Sequence, residues 1–240
     1  MQITILGSVG PYPGKDLATS GYFIKCNNKG ILLECGSGVI SKFLKYFDFE
    51  QIDFIICSHL HSDHISDLGV LKYYFASKNK KIDLYIPSEP IDELNQLKKG
   101  VYNIKPIEEN LSFNINDIQI DFLQGIHPYK SYAVSVVYNN KKFVFSSDTG
   151  YFDNLIDFCK DSDLLLMNSC YKDIDLEKIS QDKRFHLSPS QAAKIAKESN
   201  SIQLCLTHFK PEHDRIEQLK CAKNIFENTI IATEGKCIEL

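Results

Sequence analysis

Arginine is scarce in this chain of 240 residues: only Arg184 and Arg215 occur, and the formal net charge is −4. A dedicated nucleic-acid-binding protein usually presents a basic face, so this balance argues against that class. The chain also has no apolar stretch of transmembrane length, and its first residues read as a short strand without the basic start of a signal peptide. These absences predict a cytoplasmic protein with no membrane partner.

The eight cysteines form no C-x-x-C pair and no dense framework, which argues against a zinc ribbon and a disulfide scaffold. Several lie inside apolar runs, as Cys57 and Cys205 do, where a thiol behaves as a small hydrophobic side chain. Reduced core cysteines of this kind are typical of cytosolic proteins. The chain also lacks a low-complexity segment or linker, so the sequence predicts one domain over residues 1–240.

Short strands precede amphipathic helices in both halves of the chain, about residues 1–110 and 111–240. A buried strand is predicted at Ile52–Cys57, and a helix at Val39–Phe47. Ser188-Pro-Ser-Gln191 has the capping-box pattern with proline at the first helical position, and it predicts a helix over Pro189–Glu198. The last predicted strand is Ile230–Ala232. This alternation indicates an α/β protein with two sheets between layers of helices.

Histidine is concentrated in residues 59–64, which read His-Leu-His-Ser-Asp-His directly after a predicted strand. These side chains are costly to bury unpaired, and they are the nitrogen and oxygen donors that divalent transition metals prefer. In an extended segment His59 and His61 point to the same side and can reach one ion. Asp63 continues this alternation and His64 is offset from it, so this pair faces a second ion. The cluster therefore predicts a metal site with two ions.

Three further donors, His127, Asp148 and His208, each follow a predicted apolar strand. Ligands in α/β folds collect beyond the carboxyl ends of strands. Taken one at a time, such residues are more often hydrogen-bonded or turn residues. However, a catalytic zinc ion typically takes three protein ligands and leaves one position for water. Two ions therefore need more donors than the cluster supplies, and these three residues complete about the required set.

In this order, the His59–His64 motif followed by His127, Asp148 and His208 resembles the metallo-β-lactamase superfamily. The likeness extends to its ribonuclease Z-like branch of phosphodiesterases through Leu32-Leu-Glu-Cys-Gly-Ser-Gly38 and His186-Leu-Ser-Pro-Ser-Gln-Ala-Ala193, and it runs nearly the whole length of the chain. The resemblance implies a four-layer αββα sandwich, in which two mixed sheets are flanked by helices.

The resemblance also implies a role for each donor. The implied ligands are His59, His61 and His127 for one ion, Asp63, His64 and His208 for the other, and Asp148 as a bridge between them. A metal-bridging hydroxide is the implied nucleophile, because metal charge lowers the pKa of bound water, and Asp63 is the implied general base. His186 is implied to contact the scissile phosphate and protonate the leaving oxygen. Zinc suits a histidine-rich site, while manganese or iron suits a carboxylate-bridged one.

Three features depart from that branch. Glu34 stands where the family often has aspartate, beside the ligand loop that it is expected to support. Asn168 stands where relatives carry glutamate; an asparagine can accept a hydrogen bond from His186 but stabilises an imidazolium less well. Only twenty residues separate His127 from Asp148, and they read as a plain hairpin without the protruding arm of long-form tRNA-processing enzymes.

The leading hypothesis is therefore a metal-dependent phosphodiesterase that acts on a small or single-stranded phosphodiester, with a cyclic nucleotide as one candidate. Long tRNA is not expected as a substrate, because the arm is missing and the chain is acidic. One alternative is a thioester or lactone hydrolase of the same fold. A second is a catalytically weak module that binds a nucleotide. A homodimer is the assembly that the resemblance implies.

Overall fold

The computed structural model describes residues 1–98 and 100–240, and its strands form two seven-stranded mixed sheets. The fourteen strands of the described residues are β1 (Gln2–Gly7), β2 (Gly21–Cys26), β3 (Lys29–Leu33), β4 (Phe54–Ile56), β5 (Ile82–Pro87), β6 (Tyr102–Ile107), β7 (Ser112–Ile115), β8 (Ile118–Gln124), β9 (Tyr132–Tyr138), β10 (Lys141–Phe145), β11 (Leu164–Asn168), β12 (Gln203–Thr207), β13 (Thr229–Ile231) and β14 (Cys237–Glu239).

The α-helices of the same residues number eight. They are α1 (Val39–Phe43), α2 (Ser62–Ile65), α3 (Leu68–Ser77), α4 (Ile91–Leu97), α5 (Asp153–Phe158), α6 (Asp173–Leu176), α7 (Pro189–Glu198) and α8 (Arg215–Lys223). The α/β class with two mixed sheets and accompanying helices is therefore confirmed.

The chain divides into two compact units. The first unit contains Met1–Glu108 together with Thr233–Glu239, and the second contains Glu109–Ala232. The predicted boundary near residue 110 is close to the observed one. The assignment of everything after that boundary to the second half is wrong, because β14 returns to pair antiparallel with β1, with Gln2 opposite Glu239. The single domain over residues 1–240 stays a prediction.

Both sheets follow one pattern of strand directions. In the first unit the order is β14-β1-β2-β3-β4-β5-β6, antiparallel as far as β3 and parallel from there to β6. In the second unit the order is β13-β12-β11-β10-β9-β8-β7, antiparallel from β7 to β10 and parallel beyond. Each parallel section brings the carboxyl ends of several strands to one edge of its sheet, where ligands commonly collect.

Local sequence explains several of these elements. The hairpin β9–β10 turns at Asn139 and Asn140, whose φ angles of 51° and 58° suit asparagine in a two-residue turn. Helix α7 begins as predicted, because the Ser188 hydroxyl accepts the backbone N–H of Gln191 and the Gln191 side chain accepts that of Ser188. In the first unit α1 packs on β2 through aromatic rings, since the ring centroids of Phe43 and Phe23 are 4.9 Å apart.

Other predictions need correction. The helix predicted at Val39–Phe47 ends at Phe43, and the strand predicted at Ile52–Cys57 is only Phe54–Ile56, after a short 3-10 helix. No helix among the described residues is long and apolar enough to span a bilayer. All eight cysteines are free thiols, and six of them are buried.

Candidate metal centre

The first-unit donors begin just after β4. His59 lies at a bend, and His61 is the N-cap of α2 with extended backbone angles. His59 Nε2 is 3.2 Å from His61 Nδ1, and the two rings meet edge to face with centroids 4.8 Å apart. His59 is fully buried, and its Nδ1 is 3.1 Å from the Ser58 hydroxyl, which leaves Nε2 directed at the neighbouring ring.

Asp63 and His64 lie on the first turn of α2. The expectation that Asp63 continues an extended alternation is wrong, because the helix already begins at Ser62. Both side chains are nevertheless buried, and Asp63 Oδ2 is 3.5 Å from His64 Nε2. A carboxylate oxygen and an imidazole nitrogen therefore face each other in this turn.

Glu34 contacts both ends of the ligand segment from the end of β3. Its Oε1 accepts the backbone N–H of Ser58 at 2.9 Å, and its Oε2 is 3.1 Å from His64 Nδ1. Because an ionised carboxylate can only accept, His64 carries its proton on Nδ1 and presents the lone pair of Nε2. This carboxylate–histidine arrangement is the one that orients metal-binding histidines in general.

Backbone hydrogen bonds fix the same segment. The Cys35 N–H donates to the His64 carbonyl at 2.8 Å, and the Asp67 N–H donates to the Cys35 carbonyl at 3.0 Å. The Asp67 carboxylate in turn accepts the Ile40 N–H. Burial raises the pKa of the Cys35 and Cys57 thiols well above their usual value, so both thiols are neutral at neutral pH. Ser58 and Asp67 were missed as supporting residues, since nothing in their local sequence marks these contacts.

Gly36 lies against this segment, and it gives a first testable prediction. A Cβ at Gly36 would overlap the Asp63 carbonyl oxygen and the Thr19 hydroxyl. We expect Gly36→Ala to displace the first turn of α2, lower the free energy of unfolding by about 3 kcal/mol, and weaken zinc binding. Urea unfolding and zinc titration measure the two effects.

The control for this variant is Gly69→Ala in α3, where an added Cβ meets no atom within 4 Å. Alanine suits a helix better than glycine, so this variant is expected to gain about 0.5 kcal/mol and to bind zinc as before. An unchanged zinc affinity in Gly36→Ala would contradict the role given to Gly36.

The second-unit donors lie just past three strands. His127 follows β8, Asp148 follows β10, and His208 comes directly after β12. Asp148 Oδ2 is 3.3 Å from His208 Nε2, and both residues are buried. The ligand atoms of His127 and Asp148 lie within 4.8 Å of each other. The second unit thus places two imidazoles around one carboxylate.

Backbone conformation marks the same strand ends. Among the described residues other than glycine, asparagine and aspartate, positive φ angles occur at Glu34 (64°), Ser147 (55°) and His208 (56°). The left-handed conformation costs energy for residues of these types, and such strain clusters at functional sites. His208 is a candidate metal ligand, Glu34 contacts the candidate ligand His64, and Ser147 directly precedes Asp148. The strained backbone positions therefore lie at or beside candidate ligands.

Asn168 fixes the orientation of His186. Its Oδ1 accepts the backbone N–H groups of Cys170 at 3.2 Å and Leu187 at 3.3 Å, so its Nδ2 faces His186 Nδ1 at 3.3 Å. The expected direction of this hydrogen bond is therefore wrong, because Asn168 donates and His186 accepts. In a neutral His186 ring, this hydrogen bond places the proton on Nε2. The His186 Nδ1 also lies 3.8 Å from Asp148 Oδ2.

Cys170 is a buried free thiol, as expected of the core cysteines, and it also lies near two histidines. Its sulfur and the ligand nitrogens of His186 and His208 lie within 4.8 Å of one another. The available signal was its position two residues after a strand, the same placement that marks the other donors.

The donor chemistry of each unit fits a divalent transition metal. The first unit supplies buried imidazoles whose second nitrogen is engaged by Ser58 or Glu34, and the second unit supplies a buried carboxylate with histidines around it. Imidazole and carboxylate ligands suit zinc, manganese and iron, and the contacts of the non-ligating nitrogens set the orientation of the rings.

Comparison with known proteins identifies the class. The family model described as a β-lactamase superfamily domain matches residues 30–209, which is most of the chain. The chain therefore belongs to this superfamily and has the metallo-β-lactamase fold, as the histidine motif indicates.

The particular relatives include a probable metallo-hydrolase and proteins named ribonuclease Z. The Bacillus subtilis protein YhfI, named a probable metallo-hydrolase, is 30% identical over 249 positions that cover 98% of each chain. Its crystal structure superimposes with a TM-score of 0.93 at 28% identity and covers 100% of this chain and 98% of that one.

Ribonuclease Z of Clostridioides difficile is 27% identical over 302 positions, which cover 100% of this chain and 98% of that protein. Since this chain has 240 residues, about sixty of the aligned positions have no counterpart in it. The human short-form tRNase Z shares the fold, with a TM-score of 0.80 at 22% identity and coverage of 100% and 99%.

Proposed function

We propose that this chain is a metal-dependent phosphodiesterase for small substrates. The observation that carries this proposal is the position of His186. Its Nδ1 lies 3.8 Å from Asp148 Oδ2. Asn168, which is not one of the proposed metal ligands, holds the ring through a hydrogen bond to Nδ1. A hydrogen-bond donor beside the ligands suits a phosphate oxygen. The relationship to ribonuclease Z supports the same reaction class.

The proposed ligands are those of the family resemblance. They are His59, His61 and His127 for one ion, Asp63, His64 and His208 for the other, and Asp148 between them. When bound, two divalent ions would lower the pKa of water and offset the charge of the phosphoryl group. Zinc is the proposed metal because of the histidine content, with manganese and iron as the alternatives to test.

The side chains of this chain then handle protons and position the substrate. The Asp63 carboxylate, almost fully buried, accepts the proton of the attacking water. His186 donates its Nε2–H to a phosphate or leaving-group oxygen, because Asn168 keeps Nδ1 as the acceptor. A neutral imidazole is a weaker acid than an imidazolium, so His186 contributes more as a hydrogen-bond donor than as a full proton donor.

A small substrate fits this chain better than tRNA. The stretch between His127 and Asp148 contains only the β9–β10 hairpin, and about sixty positions of ribonuclease Z have no counterpart. The net charge of −4 also disfavours a long polyanion. We propose a short nucleotide or another small phosphodiester as the substrate, a homodimer as the assembly, and the cytoplasm as the location.

The test is a side-by-side assay of the metal-loaded protein on bis(p-nitrophenyl) phosphate, a thioester and a lactone. We expect the phosphodiester to be preferred, chelation to stop turnover, and His186→Ala to lower the rate about 100-fold with metal content unchanged. Preference for the thioester or lactone would replace this proposal with the other hydrolase. Nucleotide binding without turnover would support the catalytically weak module.

A further inference from the structure

We propose a thiolate-containing metal site in the second unit, formed by Cys170, His186 and His208, whose occupation inhibits the enzyme. The ligand atoms of these three residues lie within 4.8 Å of one another. Ligand bonds of about 2.0–2.3 Å let one ion span most of that separation, and side-chain shifts of about 1 Å close the rest. Among the described cysteines, Cys170 alone is grouped in this way with imidazole ligands.

Strand pairing explains why Cys170 and His208 come together. Strands β11 and β12 are parallel neighbours, with Asn168 opposite Thr207. The ladder continues one step further, since the Ser169 N–H donates to the Thr207 carbonyl at 2.8 Å. Cys170 and His208 therefore leave the same edge of the sheet side by side, and both are buried.

A second set of hydrogen bonds brings in His186. Asn168 Oδ1 binds the backbone N–H of Cys170 and of Leu187, and the Tyr171 N–H donates to the Leu187 carbonyl at 3.2 Å. The segments that carry Cys170 and His186 are thus joined on both sides. The His186 ring lies parallel to the His208 ring, with centroids 5.7 Å apart and planes at 16°. These contacts hold the three side chains together, and metal binding would exchange the hydrogen bond from Asn168 Nδ2 to His186 Nδ1 for a bond from that nitrogen to the ion.

The donor set distinguishes this site from the proposed catalytic ligands, which are nitrogen and oxygen atoms only. A thiolate with two imidazoles favours zinc, cobalt or cadmium over the harder manganese ion. His186 is 19% exposed, so an ion can approach from its side of the cluster. The inhibitory consequence rests on the proposed function, because an ion here withdraws His186 from the substrate and competes for His208.

The binding test needs no turnover. The protein is titrated with Co²⁺, and thiolate coordination is read from the sulfur-to-cobalt charge-transfer absorption in the near ultraviolet. We expect a band in the unmodified protein, loss of the band in Cys170→Ser and Cys170→Ala, and a normal band in Cys221→Ser, a partly exposed thiol on α8. No band in the unmodified protein, or a band that survives in both folded Cys170 variants, would overturn the site.

Inhibition is tested separately. For each variant, the rate on bis(p-nitrophenyl) phosphate in excess zinc is divided by its own rate at two zinc ions per chain. If excess zinc inhibits, this ratio is expected to be about one tenth in the unmodified protein and in Cys221→Ser. In Cys170→Ser we expect the ratio to stay near one. Equal ratios in all three proteins would refute the inhibitory role. Failure of the phosphodiesterase proposal would leave the cobalt result standing, so the two outcomes are distinguishable.

Discussion

Replacing Asp148 with alanine is expected to lower the metal content from the proposed two ions per chain to one or fewer, and to reduce the proposed phosphodiester hydrolysis about 1000-fold. Asp148 is buried, its Oδ2 lies 3.3 Å from His208 Nε2, and its ligand atom is within 4.8 Å of that of His127. A carboxylate in this position contributes to both proposed ions. A bound metal supplies several kcal/mol of charge stabilisation, and about 4 kcal/mol corresponds to the expected rate loss.

Metal analysis of the purified protein and steady-state kinetics measure this prediction. Asp148→Asn keeps the shape of the side chain but removes its charge, and it is expected to behave nearly as poorly as alanine. Asp157→Ala, at an exposed position on α5, serves as the matched control and is expected to retain both metal and activity. Two tightly bound ions in Asp148→Ala would rule out the bridging role.

Glu34→Ala is expected to produce the second large effect, which combines lost stability with lost metal affinity. The substitution removes the buried acceptor of the Ser58 N–H and the carboxylate that faces His64 Nδ1. When one partner of a buried hydrogen-bonded pair is removed, the other polar group stays buried without a partner, and its lost hydration then destabilises the fold. We expect the free energy of unfolding to fall by about 3 kcal/mol and zinc affinity to fall about 10- to 100-fold.

Glu34→Gln separates these two effects. Its carbonyl oxygen still accepts from Ser58, so stability should be nearly retained. Its amide N–H₂ would face His64 Nδ1, which favours the tautomer with the proton on Nε2 and blocks that nitrogen as a ligand. Zinc affinity should therefore fall while urea unfolding changes little. Normal zinc affinity in both variants would show that the carboxylate does not orient His64.

The histidine motif and several elements were predictable from the sequence because their causes are local. The donors between His59 and His64 are adjacent in the chain, and Ser188 and Gln191 form their capping box within one turn. Strand β9 lies in the hairpin predicted between His127 and Asp148, since its apolar and β-branched residues suit a pleated strand. Such signals need no knowledge of the rest of the fold.

The remaining features depend on contacts between distant residues. Strand β6 has a mixed burial pattern and contains Pro106, which only an edge strand tolerates easily, so its sequence gives a weak strand signal. Cys170 joins His208 only through the parallel pairing of β11 with β12. The orientation of Asn168 depends on the backbone N–H groups of Cys170 and Leu187. The position of Cys170 two residues after a strand is the one local signal, and neither contact itself can be read from neighbouring residues.

The return of β14 to the first sheet has a consequence for synthesis on the ribosome. Strand β1 receives its outer neighbour from residues made after the whole second unit, including the hydrogen bond from Gly235 N–H to the Ile5 carbonyl. At about 5–20 residues per second, the intervening segment takes on the order of 10 s to translate. During that interval the nascent chain presents β1 as an open edge, which invites intermolecular pairing. Slower elongation would lengthen this exposure, and chaperone binding near the N-terminus would shorten it.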